Sequence, residues 1–550
     1  MGDSHLFENF NGDMLPPHGA LLRRQAERHG ERLFAIIDDD RISYGELYRQ
    51  AEAVARGMIS RGIRRGDRVG IFMPNCAEFM LAYFACHLLG AIVVTINARY
   101  KSHELAHALG FSDIRLLFTT ARIDDHVNFG DLLFQTAPDL AACTADAPLA
   151  LANAPLLQTI VLCGDSPRPP FVPLAALIDE GASLPADELA DLHETGSVDD
   201  IAVMLFTSGT SAAPKACQLT HRAIYQTWAF TYPESAELKA GEKIWVPMPC
   251  FHVGGIGLTA GALAHGSCFL SSIHHQSSAA LRLIRNERPE HLYPGFFTLL
   301  LPVLREPDYS PADFAQVRTV VAIAPYETHL MMKEMMPPEI LVFQLFGMTE
   351  AAGYVSFTRR SMAEDLRLKT NGLPVAGCEV RIAREEDDQV LPVGEEGEIQ
   401  FRGPNAFHSY YKDEAATRAT ILPGGWVKTG DCGRLDETGA VYFLGRIKDM
   451  LKVGGENVAA AEIEAYLGRH PAVKLAQVVA RPDDYYGEVA VAFVELMPGQ
   501  SASGRELMDF CKGKLASFKV PRDVIFVTEW PMSATKIQKF KLRQQLAGQG

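Results

Sequence analysis

A short loop rich in hydroxyl side chains carries the clearest sign of chemistry in this sequence. It runs from Leu205 to Ala216 and reads LFTSGTSAAPKA. The apolar run at 201–206 just before it is typical of a buried strand. Backbone N–H groups and hydroxyls in such a loop can donate to phosphate oxygens, and Lys215 adds a compact positive charge. Polyphosphate binding is one interpretation and an ordinary surface loop is the other, since the P-loop pattern G-x-x-x-x-G-K-[ST] does not fit.

A second chemical group follows the predicted strand at 341–346. Gly347-Met348-Thr349-Glu350 places a hydroxyl and a carboxylate at the C-terminal end of that strand, where α/β sheets hold their ligands. Hard oxygen ligands of this kind suit Mg²⁺, which water and nucleotide phosphates usually complete. The alternative is a strand followed by a helix with Thr349 as its N-cap, and that role is compatible with ligand binding.

Two single residues need their surroundings before a role can be given. Asp431 follows the glycines of a predicted tight turn, so it either accepts from ribose hydroxyls or only forms the turn. His252 follows an apolar stretch and has no partner ligand at a metal-binding spacing, which argues against a metal role. A structural histidine is the ordinary case for such a residue.

The elements that must position these groups alternate between strands and helices. Arg68–Met73 and Ala91–Ile96 are predicted strands on either side of a predicted helix at Glu78–Leu89. Ser43, with Glu46 three residues later, is predicted to cap another helix. A strand–helix–strand order favours a parallel sheet covered by helices. The fold class is therefore α/β, and 550 residues require two or more domains.

Composition narrows the class of partner and compartment. The net charge of −15 makes nucleic acid an unfavourable partner. Ten cysteines without a C-x-x-C pair argue against a zinc ribbon or a secreted disulfide framework and favour a reducing cytoplasm. The sequence shows no signal peptide and no apolar run long enough for a transmembrane helix.

The loop resembles the phosphate-binding signature of the adenylate-forming superfamily, which includes acyl-CoA synthetases, adenylation domains of peptide synthetases and luciferases. The family pattern is roughly Thr-Ser-Gly-Thr-Thr-Gly-x-Pro-Lys-Gly, and this chain matches it at 207–210, Pro214 and Lys215. Ala212 and Ala216 stand where glycine is usual. The stretch 346–350 resembles the family's Tyr-Gly-x-Thr-Glu motif, with Phe346 in place of tyrosine.

The resemblance implies a set of site residues. It implies nucleotide or CoA contacts at Thr207, Ser208, Gly209, Thr210, Lys215, Phe346, Gly347, Met348, Thr349, Asp431, Arg446, Lys452, Gly454, Gly455 and Asn457. It implies Mg²⁺ ligation by Thr210 and Glu350, a hinge at Lys448, and catalytic roles for Lys536, Glu350 and His252. The family has a glycine just before the catalytic lysine, and here Thr535 adjoins Lys536 directly. Lys539 is the poorer alternative.

The resemblance also implies an architecture and a reaction. The architecture is a large N-terminal domain at 1–447 and a small mobile α+β domain at 448–550, with the active site between them. The reaction activates a carboxylic acid with ATP and Mg²⁺ to an acyl-adenylate and transfers the acyl group to CoA. The alternatives are an adenylation enzyme that loads a carrier-protein thiol, a luciferase-like oxygenase, and an impaired member that only binds ligand. A cytoplasmic location is expected, a homodimer is possible, and the acid stays open.

Overall fold

The computed structural model describes most of the chain, in the ranges 15–123, 125–164, 168–184, 196–207, 214–454, 456–532 and 537–547. Ser208, Gly209, Thr210, Gly455 and Lys536 lie outside the described residues, so their expected roles stay predictions. Of Asn457 the backbone alone is described.

The described strands form five sheets. In chain order they are β1 (Leu33–Ile37), β2 (Asp40–Ser43), β3 (Arg68–Phe72), β4 (Ile92–Thr95), β5 (Ile114–Thr120), β6 (Thr159–Cys163), β7 (Val172–Pro173), β8 (Ile201–Thr207), β9 (Lys215–Thr220), β10 (Lys243–Trp245), β11 (Cys268–Ser271), β12 (His291–Phe296), β13 (Thr319–Ile323), β14 (Leu341–Phe343), β15 (Leu345–Phe346), β16 (Ser356–Phe357), β17 (Leu373–Pro374), β18 (Glu379–Ala383), β19 (Gly397–Arg402), β20 (Ser409–Tyr410), β21 (Val427–Leu435), β22 (Val441–Arg446), β23 (Leu451–Val453), β24 (Glu456–Val458), β25 (Val473–Asp483), β26 (Gly487–Leu496) and β27 (Asp523–Phe526).

The described α-helices alternate with these strands. They are α1 (His18–His29), α2 (Tyr44–Ser60), α3 (Ala77–Leu89), α4 (Ser102–Phe111), α5 (Phe129–Thr136), α6 (Leu174–Gly181), α7 (His221–Tyr225), α8 (Tyr232–Ala236), α9 (Val253–His265), α10 (Ser277–Glu287), α11 (Phe297–Leu304), α12 (Tyr326–Met335), α13 (Glu364–Lys369), α14 (Glu414–Thr420), α15 (Ala460–Leu467), α16 (Gly504–Cys511) and α17 (Lys539–Ala547). A π-helical turn, Gln226–Thr231, connects α7 to α8. None of the described helices is long and apolar enough to cross a membrane.

Two large sheets form the main body. One has the order β20-β9-β8-β4-β3-β5-β6-β7 and is parallel from β8 to β7. The other has the order β14-β13-β12-β10-β11-β1-β2 and is parallel except at β1–β2. The predicted α/β class with helix-covered parallel sheets is therefore confirmed.

The helices of this body are placed by their apolar faces. α3 is apolar on all sides and almost every one of its residues is buried, which is typical of a helix packed between other layers. α9 is buried in the same way along most of its length. α2 begins where the sequence predicts, because the Ser43 hydroxyl accepts from the backbone N–H of Glu46 at 3.1 Å.

The C-terminal part of the chain contributes smaller sheets. β18-β19-β21-β22 and β15-β16-β17 are antiparallel, and β24-β23-β26-β25 continues to β27 beside β26. A 3₁₀ turn, Ile447–Asp449, lies between the last strand of the four-stranded sheet and the first strand of the five-stranded sheet. A large N-terminal domain and a small C-terminal domain are thus present, and the expected boundary at 447/448 stays a prediction.

Candidate active site

The hydroxyl-rich loop joins β8 to β9, which pair antiparallel. Thr207 lies opposite Lys215 and Phe206 lies opposite Ala216 in that pairing. Ala216 is 1% exposed and belongs to the strand, so the extra backbone freedom of glycine is not needed there. The departure from the family pattern at Ala216 therefore falls in strand β9. Ser208, Gly209 and Thr210 lie outside the described residues.

Lys215, Tyr410 and Glu350 meet beside the C-terminal arm of that loop. The Lys215 ammonium lies 4.6 Å from the centre of the Tyr410 ring, within the range of a cation–π interaction. The Tyr410 hydroxyl donates to Oε1 of Glu350 at 2.7 Å. Burial and the neighbouring Glu350 carboxylate raise the pKa of Tyr410 far above its usual value. The hydroxyl therefore keeps its proton and stays a donor.

The strand predicted at 341–346 is interrupted and enters two sheets. β14 closes the seven-stranded sheet, and β15 starts the three-stranded one. Gly347 is required after it, because a Cβ there would lie 1.7 Å from the carbonyl oxygen of Gly353. Thr349 begins a 3₁₀ turn whose N-cap position is Met348 and which has no side-chain cap. The alternative of a helix capped by Thr349 is therefore wrong.

Phe346 and Phe443 form a stacked aromatic pair. Their ring centres are 5.5 Å apart with planes inclined by 20°. Phe346 is 6% exposed and Phe443 is 38% exposed. Asn371 holds the two strands together, since its side chain donates to the Leu345 carbonyl at 3.1 Å and accepts from the Phe443 N–H at 2.9 Å. The pair offers a planar apolar surface next to the motif that contains Glu350.

Asp431 and Arg446 form an ion pair across β21 and β22. The Arg446 Nε lies 2.9 Å from Oδ1 of Asp431, whose side chain is 2% exposed, whereas the Arg446 side chain is 40% exposed. Arg446 also donates to the Thr429 carbonyl at 3.3 Å. Because Phe443 and Arg446 both lie in β22, one strand connects the aromatic pair to this charged pair. The sequence predicts an exposed Asp431 after a tight turn, and the exposure is wrong, because the residue lies within β21 and is buried.

His252 occupies the position just before the first residue of α9. Its ring lies 4.8 Å from the ring of Phe251, and it is half-buried. Its backbone N–H donates to the Pro249 carbonyl at 3.1 Å. The histidine therefore stands at the entrance to the apolar α9 rather than on a polar surface.

The remaining predicted residues lie beyond Arg446. Lys452 pairs with Asn457 across the hairpin formed by β23 and β24. Gly454 in that hairpin has φ +61°, a conformation that favours glycine. Lys448 lies in the 3₁₀ turn before it.

The last described helix reaches back to this turn. Arg543 on α17 donates to the Lys448 carbonyl at 3.2 Å and forms an ion pair with Asp449. The C-terminal helix thus contacts the segment that the sequence identifies as the hinge.

Tyr410, Phe443 and Arg543 are the site residues that the sequence analysis did not find. Tyr410 lies in a run of ordinary polar and aromatic residues, and its place is set by the pairing of β20 with β9, which joins Ser409 to Gln218. Phe443 is one apolar residue in a strand whose signal is structural. A basic residue in a terminal helix is too common to single out Arg543.

A parallel α/β body with a lysine at a hairpin loop and a buried carboxylate after a strand, followed by a small C-terminal domain, defines an adenylate-forming enzyme. The chain belongs to the AMP-binding enzyme family. The model of that family matches residues 22–411, and the model of the AMP-binding enzyme C-terminal domain matches 462–536. The resemblance drawn from the sequence motifs is therefore confirmed.

Curated relatives and solved structures agree with this assignment. The chain is 32% identical to YngI of Bacillus subtilis (strain 168), which is assigned as an acyl-CoA synthetase, with 96% of both chains covered. It is 30% identical to the mitochondrial medium-chain acyl-CoA ligase ACSF2 of Danio rerio, covering 95% of this chain and 87% of that one. Among solved structures, the anthranilate CoA ligase AuaEII in complex with anthranoyl-AMP superposes with a TM-score of 0.86 at 26% identity, covering 98% and 100%.

The predicted reaction class is confirmed by these findings. The chain is an AMP-forming acyl-CoA synthetase that uses ATP to activate a carboxylic acid as an acyl-adenylate and CoA to accept the acyl group.

Proposed function

We propose that the Lys215–Tyr410–Glu350 group holds the polyphosphate end of ATP. The observation that carries this proposal is the 2.7 Å hydrogen bond by which Tyr410 fixes the buried Glu350 carboxylate beside Lys215. Lys215 supplies a positive charge at the root of the loop, where Thr207 and the predicted contacts Ser208, Gly209 and Thr210 add donors.

The Glu350 carboxylate fits a Mg²⁺ site. It is 8% exposed, and Tyr410 occupies only one of its two oxygens in this contact. The carboxylate oxygen outside the Tyr410 contact, with the Thr210 hydroxyl as the second expected ligand, is the kind of hard donor that Mg²⁺ prefers. When bound there, Mg²⁺ supplies positive charge to the phosphate oxygens as pyrophosphate leaves.

The nucleoside end of ATP is assigned to residues of β15, β21 and β22. Phe346 and Phe443 offer a flat surface for adenine, and the Gly347–Thr349 backbone borders it. Asp431 accepts from the ribose hydroxyls, while Arg446 orients that carboxylate through their 2.9 Å contact. Anchoring both ends of the nucleotide sets the α-phosphorus in line for attack by the carboxylate.

The two chemical steps need cations and a mobile domain rather than a protein nucleophile. The substrate carboxylate attacks the α-phosphorus, an O–P bond forms, and pyrophosphate leaves. The CoA thiol then attacks the acyl carbonyl, loses its proton, and expels AMP. Lys536 is assigned to the first step, because charge accumulates at the α-phosphate and requires a cation placed in advance. Lys448 is assigned as the pivot. Lys452 and Asn457 are assigned to the adenylate side, and Gly454 and Gly455 to the loop that faces the CoA thiol.

The acid is assigned to an apolar class. α9 is buried and apolar, and His252 at its start is half-buried. His252 is therefore assigned to orient the substrate carboxylate, with the acyl chain on the apolar side. ACSF2 is named for medium-chain acids and AuaEII for anthranilate. Medium-chain and aromatic acids are therefore the classes to test first.

The setting is assigned from the chain's own features. All ten cysteines are free thiols, which suits a reducing cytoplasm. The domain boundary is assigned to the turn at 447–449, where the four-stranded sheet ends.

Pyrophosphate release across medium-chain, long-chain and aromatic acids, with and without CoA, tests the substrate and the acceptor. CoA-dependent turnover on an apolar acid supports the proposal, whereas adenylate formation that does not respond to CoA indicates a carrier-protein thiol.

Asp431→Ala tests the nucleotide assignment, because it removes the buried ribose acceptor. We expect the Kd for ATP to rise by about tenfold, the value of one charge-assisted hydrogen bond. An unchanged Kd contradicts the ribose role.

A further inference from the structure

Three buried histidines meet beside the first turn of α1, away from the residues assigned to the nucleotide. His18 is the first residue of α1, His87 lies in the last turn of α3, and His221 is the first residue of α7. Their exposed fractions are 0%, 5% and 5%. One ligand atom from each lies within 4.8 Å of the others.

The ring nitrogens of this cluster are poorly used by the protein. Both ring nitrogens of His18 and both of His87 are buried and find no hydrogen-bond partner among the described residues. The Nδ1 of His221 accepts only a long bond, 3.3 Å, from the backbone N–H of His18. A buried polar atom without a partner costs free energy. Several such nitrogen atoms in one place therefore require an explanation.

Edge-to-face packing explains part of the arrangement but not the nitrogens. His18 packs against His221 and Tyr225 with ring centres 4.5 and 4.6 Å apart, and His87 packs against Tyr83 at 4.4 Å. A phenylalanine would make the same contacts without burying unpaired nitrogen atoms. Packing alone therefore gives no reason for imidazole at all three positions.

We propose that His18, His87 and His221 bind one divalent transition-metal ion, with Zn²⁺ the best fit, and that this ion fastens α1 to the eight-stranded sheet. Three imidazole nitrogens and one further donor form a common tetrahedral Zn²⁺ site. Soft sulfur ligands are absent from the three, so the donor set favours Zn²⁺ or another imidazole-binding ion over Cu(I).

The electrostatics of the cluster suit such an ion. Burial lowers the pKa of His18 and His87 well below the usual value and that of His221 to about 4. Neutral imidazole is the form that ligates a metal ion, and burial disfavours the charged form. Asp200, which is paired with Arg65, lines a cavity of about 20 Å³ together with His87 and His221, so a carboxylate lies near the proposed ligands.

The same cavity supplies the fourth position and an entrance. Its volume matches one water molecule, which can complete the coordination. Arg65 and Asp200 line it as an ion pair at 2.5 Å, with side chains 35% and 43% exposed. An ion can therefore arrive from the solvent side by passing this pair.

Binding draws the rings together. Zn–N bonds of about 2.0–2.1 Å place tetrahedral ligand atoms about 3.4 Å apart, so nitrogens now up to 4.8 Å apart move closer. The rings can turn because they have no strong hydrogen bonds to break, apart from the long His221 contact.

The ion is structural rather than catalytic, because of its place in the fold. β8 and β9 pair from Ile201–Thr220 at one end to Thr207–Lys215 at the other. His221 follows the first end, and the hydroxyl-rich loop follows the second. Seven residues of strand separate the two by about 20 Å.

Zinc titration of the chelator-stripped full-length protein tests the site. We expect one tight equivalent by elemental analysis and a raised Tm on Zn²⁺ addition. His87→Phe keeps the ring packing and removes the nitrogens, and it should weaken binding by at least about tenfold. The control is His274→Gln, which breaks an exposed histidine pair with His126 (ring centres 6.1 Å apart) and should leave the tight equivalent intact.

The outcomes separate a built site from surface binding. Unchanged affinity in His87→Phe, or loss of the tight equivalent in His274→Gln, overturns the proposal. Should His87→Phe fail to fold, Co²⁺ loaded into the unaltered protein gives the answer. A tetrahedral visible spectrum with three nitrogen ligands by X-ray absorption supports the site, and a hydrated octahedral ion refutes it.

Discussion

The hydrogen bond from Tyr410 to Glu350 gives the sharpest test of the proposed polyphosphate site. Tyr410→Phe removes one oxygen atom and keeps the ring that lies 4.6 Å from the Lys215 ammonium. The lost contact is a 2.7 Å bond to a carboxylate that is 8% exposed. Water has little access to replace it, so the carboxylate loses its fixed orientation.

The size of the effect follows from the charge of the acceptor. A hydrogen bond to a charged group contributes about 1.5–3 kcal/mol, and each 1.36 kcal/mol is a factor of about ten. We therefore expect kcat/KM for ATP to fall by about 10- to 100-fold, with a higher Mg²⁺ concentration needed for half-maximal rate. Pyrophosphate release at a series of Mg²⁺ concentrations measures both quantities.

A neighbouring tyrosine provides the matched control. The Tyr411 hydroxyl donates to the Asp113 carboxylate at 2.8 Å, so Tyr411→Phe removes a similar bond away from Glu350. That variant should keep its Mg²⁺ dependence. If Tyr410→Phe reacts at low Mg²⁺ as the unaltered enzyme does, Glu350 does not need its hydroxyl partner and the proposed metal role is wrong.

Two further predictions concern packing and the hinge. Gly257→Ala places a Cβ 2.1 Å from the buried Trp228 ring, so the free energy of unfolding, measured in urea, should fall by about 1–3 kcal/mol. The control is Gly254→Ala in the same helix, which meets only the flexible Met248 side chain and should cost less. Arg543→Ala removes the ion pair with Asp449 beside the proposed hinge. The single-turnover rates of adenylate and thioester formation should shift in opposite directions by a few-fold, because a partly exposed ion pair contributes about 0.2–1 kcal/mol. An equal loss in both rates contradicts a role of this contact in the hinge.

The sequence predicted what local patterns control. The strand predicted at 201–206 and the Ser43 cap were found where an apolar run and a capping serine indicated them. Local patterns also explain why one strand was predicted at 341–346 where the structure has two. The apolar run is continuous, and nothing in it shows that its two halves pair in different sheets. The motif that follows this run, with Glu350, was still recognised, since its residue types are unusual together.

Contacts between distant segments were beyond the sequence. Tyr410 reaches Glu350 only because β20 pairs with β9, which lies nearly two hundred residues earlier. No periodicity encodes that register, and the aromatic residue has no unusual neighbours. The histidine cluster is hidden for the same reason, because His18, His87 and His221 come from three helices that only the packing brings together.

The hairpin of β8 and β9 also bears on how such an enzyme can change over evolutionary time. The pair Thr207–Lys215 closes the loop between two strands that are held on both sides, by β4 and by β20. Segments that connect strands tolerate substitutions better than the strands themselves, so we expect substitutions between these two residues to cost the sheet little stability. If the loop binds the polyphosphate as proposed, selection can retune that binding while the scaffold remains the same, which makes the segment a natural target for directed variation.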